Sequence, residues 1–160
     1  MHNGTYDIET VNGLIKTTID SVDGYRAAGE DADSGQYQSI FFQRAQEREE
    51  VADRLQAYVR ELGGNPVDSG SVAAGAHRAF MGLRDAITGA DDTAIIEEVE
   101  RGEDLIKERF ETALNDQDLS PETLSIVREC YSSVRQGHDQ MRDLKHGLQN
   151  SPAGGTTTTY

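Results

Sequence analysis

One cysteine, no tryptophan and three prolines among 160 residues remove several architectures at once. A lone thiol, Cys130, builds neither an intrachain disulfide framework nor a cysteine-based zinc site. No apolar run approaches the roughly 20 residues that a membrane span needs. No charged-then-apolar leader opens the chain, so the sequence reads as a cytoplasmic protein with no membrane partner. Positive charge is scarce as well. Fifteen basic residues stand against 29 acidic ones for a formal net charge of −14, and only Lys16, Lys107 and Lys145 are lysines. A field this negative argues against a general nucleic-acid binder and against attachment to anionic lipid. No segment alternates apolar and polar residues, and there is no long-period repeat. No Gly-rich phosphate loop, Ser/His/Asp order or Cys-x-x-Cys is present.

What is there is helical periodicity. Residues 5–28 carry Ile8, Val11, Ile15, Ile19 and Val22, three or four residues apart, which is one face of a helix. Gly29 and the polar run after it read as its end. Residues 36–62 carry Ile40, Phe41, Val51, Ala52, Leu55, Val59 and Leu62 before the stop Gly63-Gly64-Asn65-Pro66. A short helix is expected over residues 72–87, with Ala73, Ala76, Phe80, Leu83 and Ile87. A fourth follows the capping cluster Asp91-Asp92-Thr93 and carries Ile95, Ile96, Val99, Ile106, Phe110, Ala113 and Leu114. A fifth opens at Ser120-Pro121-Glu122, where a serine cap precedes proline at the first helical position. It carries Leu124, Val127, Tyr131, Val134, Met141 and Leu144. The Gly/Ser/Thr-rich stretch 147–160 reads as a flexible tail, which leaves 1–146 as the folded domain. The fold class is therefore all-α. Two antiparallel helical hairpins joined by a crossover of about 28 residues have the connectivity of a ferritin-like four-helix bundle, with the short extra helix in the crossover.

Such bundles can hold two metal ions between their helices, so the polar residues on the apolar stripes matter most. Glu103 falls in mid-stripe, one turn from Val99 and Ile106, with Glu100 at the edge. A buried carboxylate has to be paired, ligated or protonated; an ion pair is the first reading and metal ligation the second. His138 lies in stripe between Val134 and Met141, as a packed core histidine or a ligand, but Arg135 stands where a Glu-x-x-His pair would put its acid. The helix over 36–62 offers Glu47 at the stripe edge and Glu50 outside it, with no histidine. Its central polar positions are Arg44 and Arg48, two cations where metal would bind, and like charges at close range repel strongly. Asp23 falls level with Arg44 across the first hairpin and reads as its partner. Asn12 is a polar edge residue. His77, beside Ala73 and Phe80, reads as packing, as do Tyr25, Tyr58, Tyr131 and Cys130.

Several short motifs together resemble one family. They are Asp23-Gly24-Tyr25-Arg26, Gln46-Glu47-Arg48-Glu49, Leu62-Gly63-Gly64-Asn65-Pro66, Ser69-Gly70-Ser71-Val72, Glu100-Arg101-Gly102-Glu103-Asp104 and His138-Asp139. Over residues 5–146 the chain resembles a group of bacterial ferritin-like four-helix-bundle proteins of unknown function. The resemblance implies a ferritin-like bundle and no activity. Related ferritin-like groups use Glu-x-x-Glu for di-iron work, and Glu100 and Glu103 have that spacing.

Two functional expectations follow. The first is a non-catalytic structural, stress-associated or interaction protein without cofactor. Its core would hold Asp23, Arg44, Arg48, Glu103 and His138, and it could form a homodimer or take a protein partner. The alternative is a carboxylate-bridged iron or manganese site, binding metal or acting as an oxidase, with Asp23, Glu47, Glu103 and His138 as ligands.

Overall fold

The computed structural model describes residues 4–70 and 92–150. Their regular structure is entirely helical: α1 Gly4–Asp31, α2 Gly35–Glu61, α3 Asp92–Leu114 and α4 Pro121–Asn150. The helix expected over 72–87, with His77, lies outside the described residues, as do tail residues 151–160. Helix α4 continues to Asn150, past the expected start of the tail at 147.

The helix ends follow local chemistry. Gly29 does not end α1, as its type suggested; the helix runs through it to Asp31. The glycine answers a packing need instead, because a Cβ there would lie 2.8 Å from the Phe42 ring on α2. The turn that follows is held from outside the hairpin. The Asp92 carboxylate, on the first residue of α3, accepts the backbone N–H groups of Asp33 at 2.8 Å and Ser34 at 3.0 Å. Helix α2 stops as its sequence predicts. Gly63 takes φ 84°, Gly63 N–H bonds Arg60 O at 2.9 Å, and Gly64 N–H bonds Val59 O at 3.0 Å, a Schellman closure. Ser120 caps α4, its hydroxyl accepting Thr123 N–H at 3.2 Å.

Helix α1 packs on α2 and α3, and α4 packs on α2 and α3. Neighbouring helices are antiparallel. Tyr6 at the start of α1 bonds Asp116 just past α3, and Tyr58 late in α2 bonds Thr123 early in α4. The order is thus up, down, down, up. The chain has to travel the bundle's length between α2 and α3, about 40 Å for a helix of this size. Residues 63–70 begin that journey along α1: Gly64 lies against Ile8, Asn65 and Val67 bond the Asn12 side chain, and Gly70 lies against Asp20. Asn12, expected as a plain edge residue, is the peg for this strand of chain.

The core has two apolar clusters. Val11, Leu14, Ile15, Val51, Leu55, Ile106, Phe110, Val127 and Val134 fill one. Tyr25, Ala28, Phe41, Ala45, Ile96, Val99 and Met141 fill the other. On α2, α3 and α4 the residues between the two clusters include Arg48, Glu103 and His138, all buried.

Candidate functional site

The polar layer between the clusters is centred on an ion pair. Arg48 is 2 % exposed and Glu103 1 %, and Arg48 Nη2 lies 2.7 Å from Glu103 Oε1. Two further donors of the guanidinium are engaged: Nη1 donates to the Ser21 hydroxyl at 2.7 Å and Nη2 to the Val134 carbonyl at 3.2 Å. Its carbon stands 5.6 Å from the centre of the Tyr25 ring, a cation–π contact. Tyr25 donates its phenol O–H to the second Glu103 oxygen. One carboxylate thereby collects an arginine from α2 and a tyrosine from α1. Desolvation and the Glu103 charge push the Tyr25 phenol well above its usual range, against the opposing pull of Arg48. Burial, the largest single influence, would lower Arg48, but Glu103 together with Tyr25 and Glu47 outweighs it and holds the guanidinium above its ordinary value. Chemically, the layer is a closed electrostatic clamp across all four described helices.

The remaining expected residues lie elsewhere. Arg44 points inward as expected, yet its hydrogen bond goes one turn along its own helix, Nη2 to Glu47 Oε2 at 2.8 Å. Its buried Nε has no hydrogen-bond partner among the described residues. Asp23 lines a surface cleft of about 330 Å³ with Arg26, Glu49, Asp53 and Asp68. His138 turns toward the α3–α4 seam, with Nε2 2.7 Å from Asp104 Oδ1 and Nδ1 3.3 Å from Asp139 Oδ1. That hydrogen bond, with help from Arg142, holds the Asp139 carboxyl below its usual range although partial desolvation opposes it. Lys145 Nζ sits 3.0 Å from Glu100 Oε1 on the same seam. Of the quartet Asp23, Glu47, Glu103 and His138, therefore, Glu103 is engaged by Arg48 and Tyr25, Glu47 by Arg44, and His138 by Asp104 and Asp139. The acids that come within ligand distance of one another with a histidine, among the described residues, are Glu100 and Asp104 with His138.

Two features escaped the sequence. Asp104 is exposed and off the apolar stripe, so stripe analysis passes over it, and counting outward equally from the α3–α4 turn puts it level with Tyr131 rather than His138, so no sequence signal finds this contact. Asp7, in the first turn of α1, is 2 % exposed. Its Oδ2 accepts the Thr123 hydroxyl at 2.7 Å and the Ser120 N–H at 3.3 Å, so it faces the positive end of the α4 dipole. It tethers α1 to the start of α4 across the end of the bundle.

No helix among the described residues is long and apolar enough to cross a membrane. No curated protein matches the chain. Residues 7–116, more than half of the chain and three of its four described helices, match the family described as a domain of unknown function (DUF2383), and the chain belongs to that family.

Proposed function

We propose that this protein is a ferritin-like bundle in connectivity whose centre holds its helices together and does no chemistry, and that it serves as a structural or interaction protein. The observation that supports this is the Arg48–Glu103 pair. A metal ion at that position would need Glu103 to release a buried guanidinium. That release would leave an uncompensated charge in a low-dielectric interior. The Tyr25 hydroxyl and the Val134 carbonyl complete the clamp. On this reading the work is done on the outside, through contacts with a second copy or another protein, and a stress-associated role fits a protein of that kind.

Aerobic iron loading of the purified chain tests the reading. The expected result is no oxo-bridged iron absorption band and no two-ion stoichiometry after gel filtration. Two ions per chain with such a band would instead establish the di-metal alternative, with Asp23, Glu47, Glu103 and His138 rearranged around them.

A further inference from the structure

The α3–α4 seam carries a polar cluster that uses neither residue of the Arg48–Glu103 ion pair. Glu100 and Asp104 lie one turn apart on α3, and His138 faces them from α4. One ligand atom from each lies within 4.8 Å of the other two. Nitrogen and oxygen donors sit about 2.0–2.2 Å from a first-row divalent ion, which puts neighbouring tetrahedral donors about 3.4 Å apart. A pair at the full 4.8 Å has to close by about 1.4 Å, and His138 Nε2 and Asp104 Oδ1, now 2.7 Å apart, have to open to admit the ion. We propose that Glu100, Asp104 and His138 bind a single divalent transition-metal ion of the zinc class at this seam, separate from the bundle centre.

The histidine is the strongest argument. Both of its ring nitrogens face carboxylate oxygens, Nε2 that of Asp104 and Nδ1 that of Asp139. Ionised carboxylates only accept, and a neutral imidazole has a single N–H to give. A metal ion on Nε2 leaves Nδ1 as the donor to Asp139, so both ring nitrogens are then satisfied. Asp139 on Nδ1 is placed as the outer carboxylate that fixes a metal-binding histidine's tautomer and turns its Nε2 lone pair toward the ion. The second argument is that the site already attracts a cation. Lys145 brings its ammonium to 3.0 Å from Glu100, and a flexible lysine can swing out to water. The third is access. His138 is buried, whereas the Asp104 side chain is 60 % exposed, so an ion enters from solvent and water fills its open positions. Arg142 and Arg135 lie 3.5 Å and 3.9 Å from Asp139 and temper its charge; among the ligands themselves, Lys145 is the competing cation.

Competition makes the test directional. The full chain is titrated with Zn²⁺ by calorimetry and with Co²⁺ by visible absorption. One ion per chain is expected, with a cobalt d–d band of a histidine–carboxylate site. Asp104→Asn, at an exposed position that leaves folding intact, weakens binding by about tenfold or more, and His138→Ala by at least as much. Lys145→Gln tightens binding severalfold, while Lys16→Gln, the same charge change on exposed α1, leaves it unchanged. Should His138→Ala fail to fold, Glu100→Gln takes its place with the same expected loss. No binding at millimolar ion, equal binding by Asp104→Asn and the parent, or equal affinities for Lys145→Gln and Lys16→Gln would each overturn the site.

Discussion

Gly137 on α4 lies against the guanidinium of Arg48: a Cβ at position 137 would stand 2.6 Å from Arg48 Nη2. The space that this glycine leaves empty is the space the charge occupies. Arg48 cannot shift aside cheaply, because Glu103, the Ser21 hydroxyl and the Val134 carbonyl hold it from other directions.

Gly137→Ala is therefore expected to destabilise the protein by about 1–3 kcal/mol, the usual cost of an added methyl in a filled interior, despite alanine's better helix propensity. Gly102→Ala on α3 has the opposite sign. Nothing lies within 4 Å of a Cβ there, so only the propensity gain of about 0.5–1 kcal/mol remains. Chemical denaturation of both variants checks this pair; a gain in stability for Gly137→Ala would mean that Arg48 is free to move.

Removing half of the clamp should cost more. Glu103→Ala strands a buried guanidinium and a buried phenol, and about 3–5 kcal/mol is expected. Replacing Arg48 by Met, Glu103 by Leu and Tyr25 by Phe together removes every stranded group and should recover most of the loss, since apolar substitutes for buried pairs are often neutral or better. A Glu103→Ala loss of about 1 kcal/mol or less, the worth of an exposed pair, would show Glu103 to be solvated.

The stripe of α3 alone places Glu103 inside, and those of α2 and α4 do the same for Arg48 and His138, because burial follows from helical angle. Which partner each of them takes does not. Arg44 bonds Glu47 on its own helix, a contact that helical angle does not single out. His138 leans out to Asp104, an exposed residue that no hydrophobic pattern marks. Gly29 misleads because a glycine in a polar context looks like a helix end, whereas its reason is the Phe42 ring, some thirteen residues on in another helix. Asp7 hides at the first turn of α1, where periodicity has barely begun and burial is decided by the neighbouring start of α4.

Alkaline pH should weaken the fold. Burial, with a smaller push from Glu129, raises the Cys130 thiol from 9.0 to about 11. Between those values the unfolded chain has lost this proton while the folded chain keeps it, so the unfolded state binds fewer protons and stability falls as pH rises. Tyr25, raised well above 10.0, adds the same sign at higher pH. The melting temperature should decline from about pH 9 onward. Cys130→Ala should delay that onset to about pH 10. In the parent at pH 8, alkylation of Cys130 should be slow until the chain unfolds. A melting temperature flat to pH 11 would contradict this account.

Salt tests the net charge of −14. Two opposing effects are at work. Added ions screen the self-repulsion of the acidic surface, which favours the compact state. They also screen exposed pairs such as Arg26–Glu49 and Arg54–Glu129, which favours unfolding. Exposed pairs are each worth about 0–1 kcal/mol, and the central Arg48–Glu103 pair is buried where salt screens least. Repulsion should therefore win, and the melting temperature should rise with KCl up to about 1 M as the Debye length falls from about 10 Å to about 3 Å. Above that range simple screening is nearly spent. An ordinary acidic protein should then level off, whereas a chain adapted to a salty interior should stay soluble and keep gaining stability at roughly 2–3 M. A melting temperature that is flat or falls from low salt upward would show that self-repulsion does little to limit stability. The acidic surface would then call for a basic protein partner, which brings the question back to what the outside of this bundle binds.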